Sequence, residues 1–139
     1  MAYDFMKVKE QAVAKALNKV YPNIGELTPT EQHCHYDFEC KHYIIEVKCR
    51  LKRYDPWIIE KAKVDWNIDI AEKLGKNFLY LTEIKKDAYI WNISKMLQDE
   101  YDFQWTTKNL PQNTEFSNRR WTKKHIGYLY EKDATFVQL

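Results

Sequence analysis

The sequence predicts a mixed α/β domain in which a central β-sheet is flanked by helices, and three patterns carry that prediction. Residues 3–20 and 58–74 place apolar side chains at three- and four-residue spacing, residues 35–51 alternate with period two, and 77–84 is a nearly continuous apolar run of strand length. Amphipathic helices before and after strands need a sheet to cover, which is the layered α/β arrangement.

Taken in order, Phe5, Met6, Val8, Ala12, Val13, Ala16, Leu17 and Val20 form the apolar stripe of the first helix, which Tyr21, Pro22, Asn23 and Gly25 end. Thr28 to Glu31 is a polar connector. Tyr36 and Phe38, then Tyr43, Ile45 and Val47, alternate with polar residues and predict two strands joined by a tight turn near Cys40 and Lys41. After Asp55 and Pro56, the set Ile58, Ile59, Ala62, Trp66, Ile70 and Leu74 predicts a second helix, with Gly75 where a C-cap glycine would sit. NFLYLTEI (77–84) reads as a strand covered on both faces, 89–93 as another, and Ser94 as the N-cap of a short helix through Gln98. Residues 101–123 are aromatic, polar and turn-rich and predict no regular element; His125 to Tyr130 reads as a last strand. LYLTEIKKDAYI (79–90) echoes GYLYEKDATFV (127–137), which local strand-turn similarity explains as well as duplication does.

At 139 residues the chain predicts a single domain, 1–139, large enough to fold without disulfides or a structural metal. Its content of 45% hydrophobic and 30% charged residues, with 3 Gly and 4 Pro, excludes a disordered or fibrous chain. No window is apolar enough to span a membrane and MAYDFMKVKE lacks a signal-peptide core, so the expectation is a cytoplasmic protein with no membrane partner. Cys34, Cys40 and Cys49 are an odd, clustered set and read as reduced thiols. A net charge of +2 excludes a general polycation, so local clusters matter: Lys48, Arg50, Lys52 and Arg53, then Arg119, Arg120, Lys123 and Lys124.

The segment YDFECKHYIIEVK (36–48) concentrates the chemistry. A turn centred between Cys40 and Lys41 sets Asp37 opposite Ile44, and period-two alternation then puts Asp37, Glu46 and Lys48 on one face, with Glu46 the diagonal neighbour of Asp37. An exposed salt-bridge ladder is the ordinary reading of such a face. Ile44 shares it, however, and apolar residues bracket the segment, so these charges would lie near a sheet interior and need a counter-ion or phosphate. Paired carboxylates suit Mg²⁺ or Mn²⁺.

An aspartate followed on a hairpin by Glu-x-Lys, here Asp37 and Glu46-Val47-Lys48, resembles the PD-(D/E)XK nuclease superfamily, and the resemblance covers about residues 3–93. It implies a restriction-endonuclease-like α-β-β-β-α-β core and a small phage-type or resolvase-like enzyme. The implied activity is metal-dependent hydrolysis of phosphodiesters in nucleic acid, with DNA the expected substrate and endonucleolytic cleavage the expected mode. Asp37, Glu46 and the Val47 carbonyl would hold Mg²⁺ or Mn²⁺. Lys48 would position and deprotonate the attacking water, and Glu10 would be a further acid from the first helix. A homodimer would serve to cut two strands. Tyr36 stands where the motif's proline would be, and the second helix lacks the glutamine and tyrosine of the exonuclease-like branch.

Arg50, Lys52 and Arg53 would emerge beside the metal to contact phosphate, with Lys63 a further candidate on the second helix. Arg119, Arg120 and Lys123, interleaved with Trp105, Phe116 and Trp121, suit a nucleic-acid backbone with unstacked bases. Two alternatives compete. One is a catalytically inactive module of the same fold that binds nucleic acid or a protein. The other is a zinc site among His33, Cys34, His35, Cys40, His42 and Cys49, which the absence of CxxC and HxxxH spacing disfavours.

Overall fold

The computed structural model describes residues 12–21, 28–29, 36–111 and 121–139. Helix α1 covers 12–20, and the earlier part of the expected first helix, Glu10 included, lies outside the described residues. Strands β1 (Thr28–Pro29), β2 (Phe38–Glu39) and β3 (Tyr43–Arg50) follow, then β4 (Trp57–Glu60), α2 (Lys61–Leu74), β5 (Asn77–Ile84) and β6 (Asp87–Asn92). Helix α3 (Ile93–Gln98), β7 (Thr106–Pro111), β8 (Trp121–Leu129), a short 3₁₀ turn at Glu131–Asp133 and β9 (Thr135–Gln138) complete the order.

Six strands form one sheet in the order β1-β2-β3-β5-β6-β9, and β4-β8-β7 form a second. Within the large sheet only β3 and β5 run parallel, which requires a crossover, and α2 supplies it. Each face has its own core. Ile45, Leu79, Leu81 and Ile90 meet Val13, Ala16 and Leu17 of α1 on one side. On the other side Ile44, Phe78, Tyr80 and Trp91 meet Val64 and Ala71 of α2, with Trp57, Ile59 and Leu129 of the small sheet. The expected mixed sheet between helices is therefore present. No helix among the described residues is long and apolar enough to cross a membrane.

Several elements depart from the expectation. The second helix starts at Lys61, because Trp57 to Glu60 pairs with β8 as a strand. Its end does match: Gly75 adopts φ 67° and ψ 34°, its N–H donates to Glu72 O (3.2 Å) and that of Lys76 to Ala71 O (2.8 Å). Asn92, not Ser94, caps α3, its Oδ1 accepting the Lys95 N–H at 3.0 Å, while Ser94 Oγ accepts the Phe78 N–H at 2.8 Å. Thr28–Pro29 pairs as a strand instead of a bare connector, and residues 101–123 contain β7 and the start of β8. The sequence echo has a simple origin. The first copy is the β5–β6 hairpin, turned at Lys85 and Lys86 with φ 48° and 72°, whereas β8 and β9 belong to different sheets.

Gly127 marks the tightest packing in the small sheet. A Cβ there would lie 2.7 Å from Trp105 Cζ3 and 3.0 Å from Phe103 Cβ, and those two rings are stacked at 4.9 Å. Gly127→Ala is expected to destabilise by about 1–3 kcal/mol through overpacking. Urea unfolding reads the effect, and an unchanged midpoint would show that Trp105 moves aside freely.

Candidate functional site

The hairpin register sets the site. Phe38 pairs with Ile45 and Glu39 with Ile44, and the turn closes with the Cys40 N–H on Tyr43 O at 3.0 Å. The turn is thus centred between Lys41 and His42, one position later than expected, so Asp37 does not lie opposite Ile44, and the pairing with β3 ends at Phe38↔Ile45. Asp37 precedes the paired residues at a bend, where two hydrogen bonds fasten it to β3. Its N–H donates to Ile45 O (2.8 Å) and its Oδ2 accepts the Val47 N–H (2.7 Å), so the carboxylate is held against β3 while remaining exposed.

Alternation turns Ile44, Glu46, Lys48 and Arg50 towards α2, and Val47 towards the core under α1. Glu46 is only 4% exposed, which rules out a solvated ladder for this residue. Two lysines share its Oε1: Lys63 Nζ from the first turn of α2 at 3.0 Å and Lys48 Nζ at 3.4 Å. Its Oε2 is buried with no hydrogen-bond partner. Burying a carboxylate costs several kcal/mol, and a lysine on each side offsets that only where the charges remain close.

The same cluster extends beyond the expected residues. Glu60, at the junction of β4 and α2, receives Lys124 Nζ on Oε1 at 2.6 Å and lies 3.9 Å from Lys63. Lys48, Glu46, Lys63, Glu60 and Lys124 therefore form a continuous chain of alternating charge. Tyr80, level with Glu46 on the parallel neighbour β5, is buried beside it.

Electrostatics distinguish the two lysines. Burial lowers the Lys48 ammonium below its usual value, and Lys63 and Arg50 push the same way against the pull of Glu46. Burial also works against Lys63, but the charges of Glu46 and Glu60 outweigh it and raise its value. Lys63 is the closer to the shared oxygen and holds its proton the more tightly of the two. Burial would raise Glu60, yet Lys124, Lys63 and Lys48 hold it below the ordinary carboxylate value. Burial, reinforced by the charge of Glu46, raises the Tyr80 phenol.

The remaining expected residues divide. Lys63 joins the site directly, and Arg50 lies on the same face of β3 as Glu46 and Lys48. Arg53 is engaged elsewhere: Nε donates to Glu131 Oε1 (2.9 Å), and the guanidinium pairs with Glu131 and donates to the Tyr89 hydroxyl (3.0 Å). Lys52 lies over the Tyr54 ring at 5.7 Å in the exposed loop after β3. Lys123 sits in the small sheet, lining a shallow cleft with Thr107, Lys108 and Asn109. Glu10, Arg119 and Arg120 lie outside the described residues.

Of the sulfur and imidazole ligands, Cys40 is buried and Cys49 half-buried; His33, Cys34 and His35 lie outside the described residues. Among the described residues no three His, Cys, Asp or Glu side chains gather in a group able to hold a metal. Tyr80 was legible as a residue but not as a neighbour of Glu46, because the non-local β3–β5 pairing brings it there. Comparison with family models, with curated proteins and with solved structures returns no match.

Proposed function

We propose that the protein is a metal-dependent nuclease of the PD-(D/E)XK type that hydrolyses phosphodiester bonds in DNA, Mg²⁺ or Mn²⁺ being its cofactor. The observation that carries the reading is a buried Glu46 whose Oε2 lacks a partner, two positions from a lysine with a weakened hold on its proton, on the strand to which Asp37 is fastened through the Val47 N–H. A helix, three antiparallel strands, a crossover helix and a strand parallel to the third follow one another as that resemblance implies, except that β4 of the small sheet is interposed before the crossover helix.

The donor set suits a hard divalent ion. Asp37 and Glu46 offer carboxylate oxygens, the Val47 carbonyl adds a third ligand, and water or a substrate phosphate would complete the shell. Such an ion lowers the pKa of a bound water and polarises the phosphoryl oxygen. Lys48 takes the proton from the attacking water and then, charged, faces the negative charge that grows on the phosphoryl oxygens. Lys63 is ion-paired with Glu46, and Glu60 helps to hold Lys63 in place. A second copy of the chain would supply the second cut of a duplex.

The test is cleavage of linear duplex, single-stranded and branched DNA, and of RNA, with Mg²⁺ or Mn²⁺, by the parent, Asp37→Ala and Glu46→Gln. The parent alone is expected to cut DNA. In the same samples either ion is expected to raise the melting temperature of the parent but not of Glu46→Gln, as binding to the folded state requires. Equal cutting by parent and variants would remove both carboxylates from the mechanism. A second reading, an inactive nucleic-acid-binding module, draws on the ion pairs that Lys63 and Lys48 make with Glu46 Oε1, which neutralise the carboxylate without any metal. It predicts nucleic-acid binding by the parent and no cutting with either ion.

A further inference from the structure

We propose that the outer part of the β7–β8 hairpin is the arm with which this protein docks on duplex DNA, entering the major groove with its lysines on the flanking phosphates. The choice of partner rests on the nuclease reading; the arm itself rests on four features of the fold.

First, it is a free-standing ribbon. β4 pairs with β8 at residues 126–129, whereas β7 pairs with β8 at 121–126, so among the described residues the pairs from Thr107↔His125 to Pro111↔Trp121 have no third strand. Thr106 to Asn109, Trp121 to Lys123 and His125 are exposed. A two-stranded ribbon in water is marginal by itself.

Second, its charge works against its own folding. The two strands carry Lys108, Lys123, Lys124 and His125 and no acid. Lys108 lies directly opposite Lys124, a pairing that destabilises an antiparallel ladder. Glu60 offsets Lys124, but Lys108 and Lys123 make no ion pair with a described residue. Unbalanced cations on an exposed ribbon fit a polyanion.

Third, the shape selects the duplex. Five residue pairs span about 17 Å, with strands about 4.8 Å apart. The major groove of B-form DNA, about 12 Å wide, admits such a ribbon, whereas the deep, narrow major groove of an RNA helix does not. Alternation puts Thr107, Asn109, Lys123 and His125 on one face, where Thr107, Asn109 and His125 suit base edges and the longer Lys123 side chain extends to a flanking phosphate. Fourth, the arm is joined to the candidate site. Lys124 reaches Glu60, Glu60 lies beside Lys63, and Lys63 contacts Glu46. A backbone held by the ribbon is led along these cations to the carboxylates.

Binding of a fluorescein-labelled DNA duplex two helical turns long, measured by anisotropy in EDTA across a salt series, tests this without cleavage. Lys108→Ser and Lys123→Ser are each expected to reduce the slope of log affinity against log salt by about one, and the parent to prefer this duplex over an RNA duplex of equivalent sequence. Lys108→Glu, facing Lys124, is expected to raise the melting temperature while weakening DNA binding, two opposite changes that a purely structural lysine would not produce. Unchanged slopes in both serine variants, or equal binding of the RNA duplex, would overturn the proposal. If the parent cuts DNA while the serine variants bind like the parent, the arm is wrong and the nuclease reading stands. If the parent binds duplex through the ribbon but cuts nothing with Mg²⁺ or Mn²⁺, the nuclease reading fails and the arm stands.

Discussion

Lys48→Ala is expected to lower metal-dependent DNA cleavage by about 10²–10³-fold, the loss typical of removing one group that faces charge developing in a transition state. The fold should survive, because Lys63 remains 3.0 Å from Glu46 and continues to balance it. Proton linkage adds a second signature. With its folded-state value below the ordinary 10.5, Lys48 costs stability at neutral pH. That cost fades as pH rises through the folded value towards the unfolded one. The parent's cleavage rate should climb with pH and level off below the ordinary lysine range, while Lys48→Arg, which stays protonated, should remain slow throughout. Single-turnover rates against pH make the comparison, and a Lys48→Ala protein that cuts at the parent's rate removes the lysine from the chemistry.

Trp91→Ala is expected to cost about 3–5 kcal/mol, a large part of the roughly 5–15 kcal/mol that holds a domain folded. The indole is 1% exposed, packs against Tyr80 and Tyr89 at 6.3 and 6.4 Å between ring centroids, and donates through Nε1 to Tyr130 O at 3.0 Å. Removing it opens a cavity and leaves the Tyr130 carbonyl without that donor. Tyr80 is the neighbour of Glu46, so the same change loosens the floor of the candidate site. Trp91→Phe retains most of the packing and should lose less. In urea the midpoint should fall with little change in slope. A loss below about 1 kcal/mol would show that the neighbouring rings collapse into the space.

Local pattern made part of this architecture legible. Period-two alternation put Glu46 and Lys48 on one face, and that held although the turn is centred one position later, because both lie on the same strand. The end of α2 was legible through Gly75, and the bounds of β5 through an unbroken apolar run. Trp57 to Glu60 was not, since Ile58 and Ile59 extend the helical spacing of α2 and only pairing with β8 makes them a strand. β7 and β9 are short and exposed along much of their length, and β9 is defined by a partner distant in sequence. The same holds for the charges: nothing local to Glu46 announces Lys63, and nothing local to Glu60 announces Lys124.

That dispersal has a kinetic consequence. The alternating charges come from β3, α2, the end of β4 and β8, so they meet only after the parallel β3–β5 crossover and the β4–β8 pairing have both closed, steps that are slow in folding because each closes a long loop. A chain emerging from the ribosome carries Glu46 and Lys48 well before Lys124 exists to complete the row. Competence is thereby tied to the last stages of maturation, and local opening of β8 in the finished protein would disconnect the row without unfolding the large sheet.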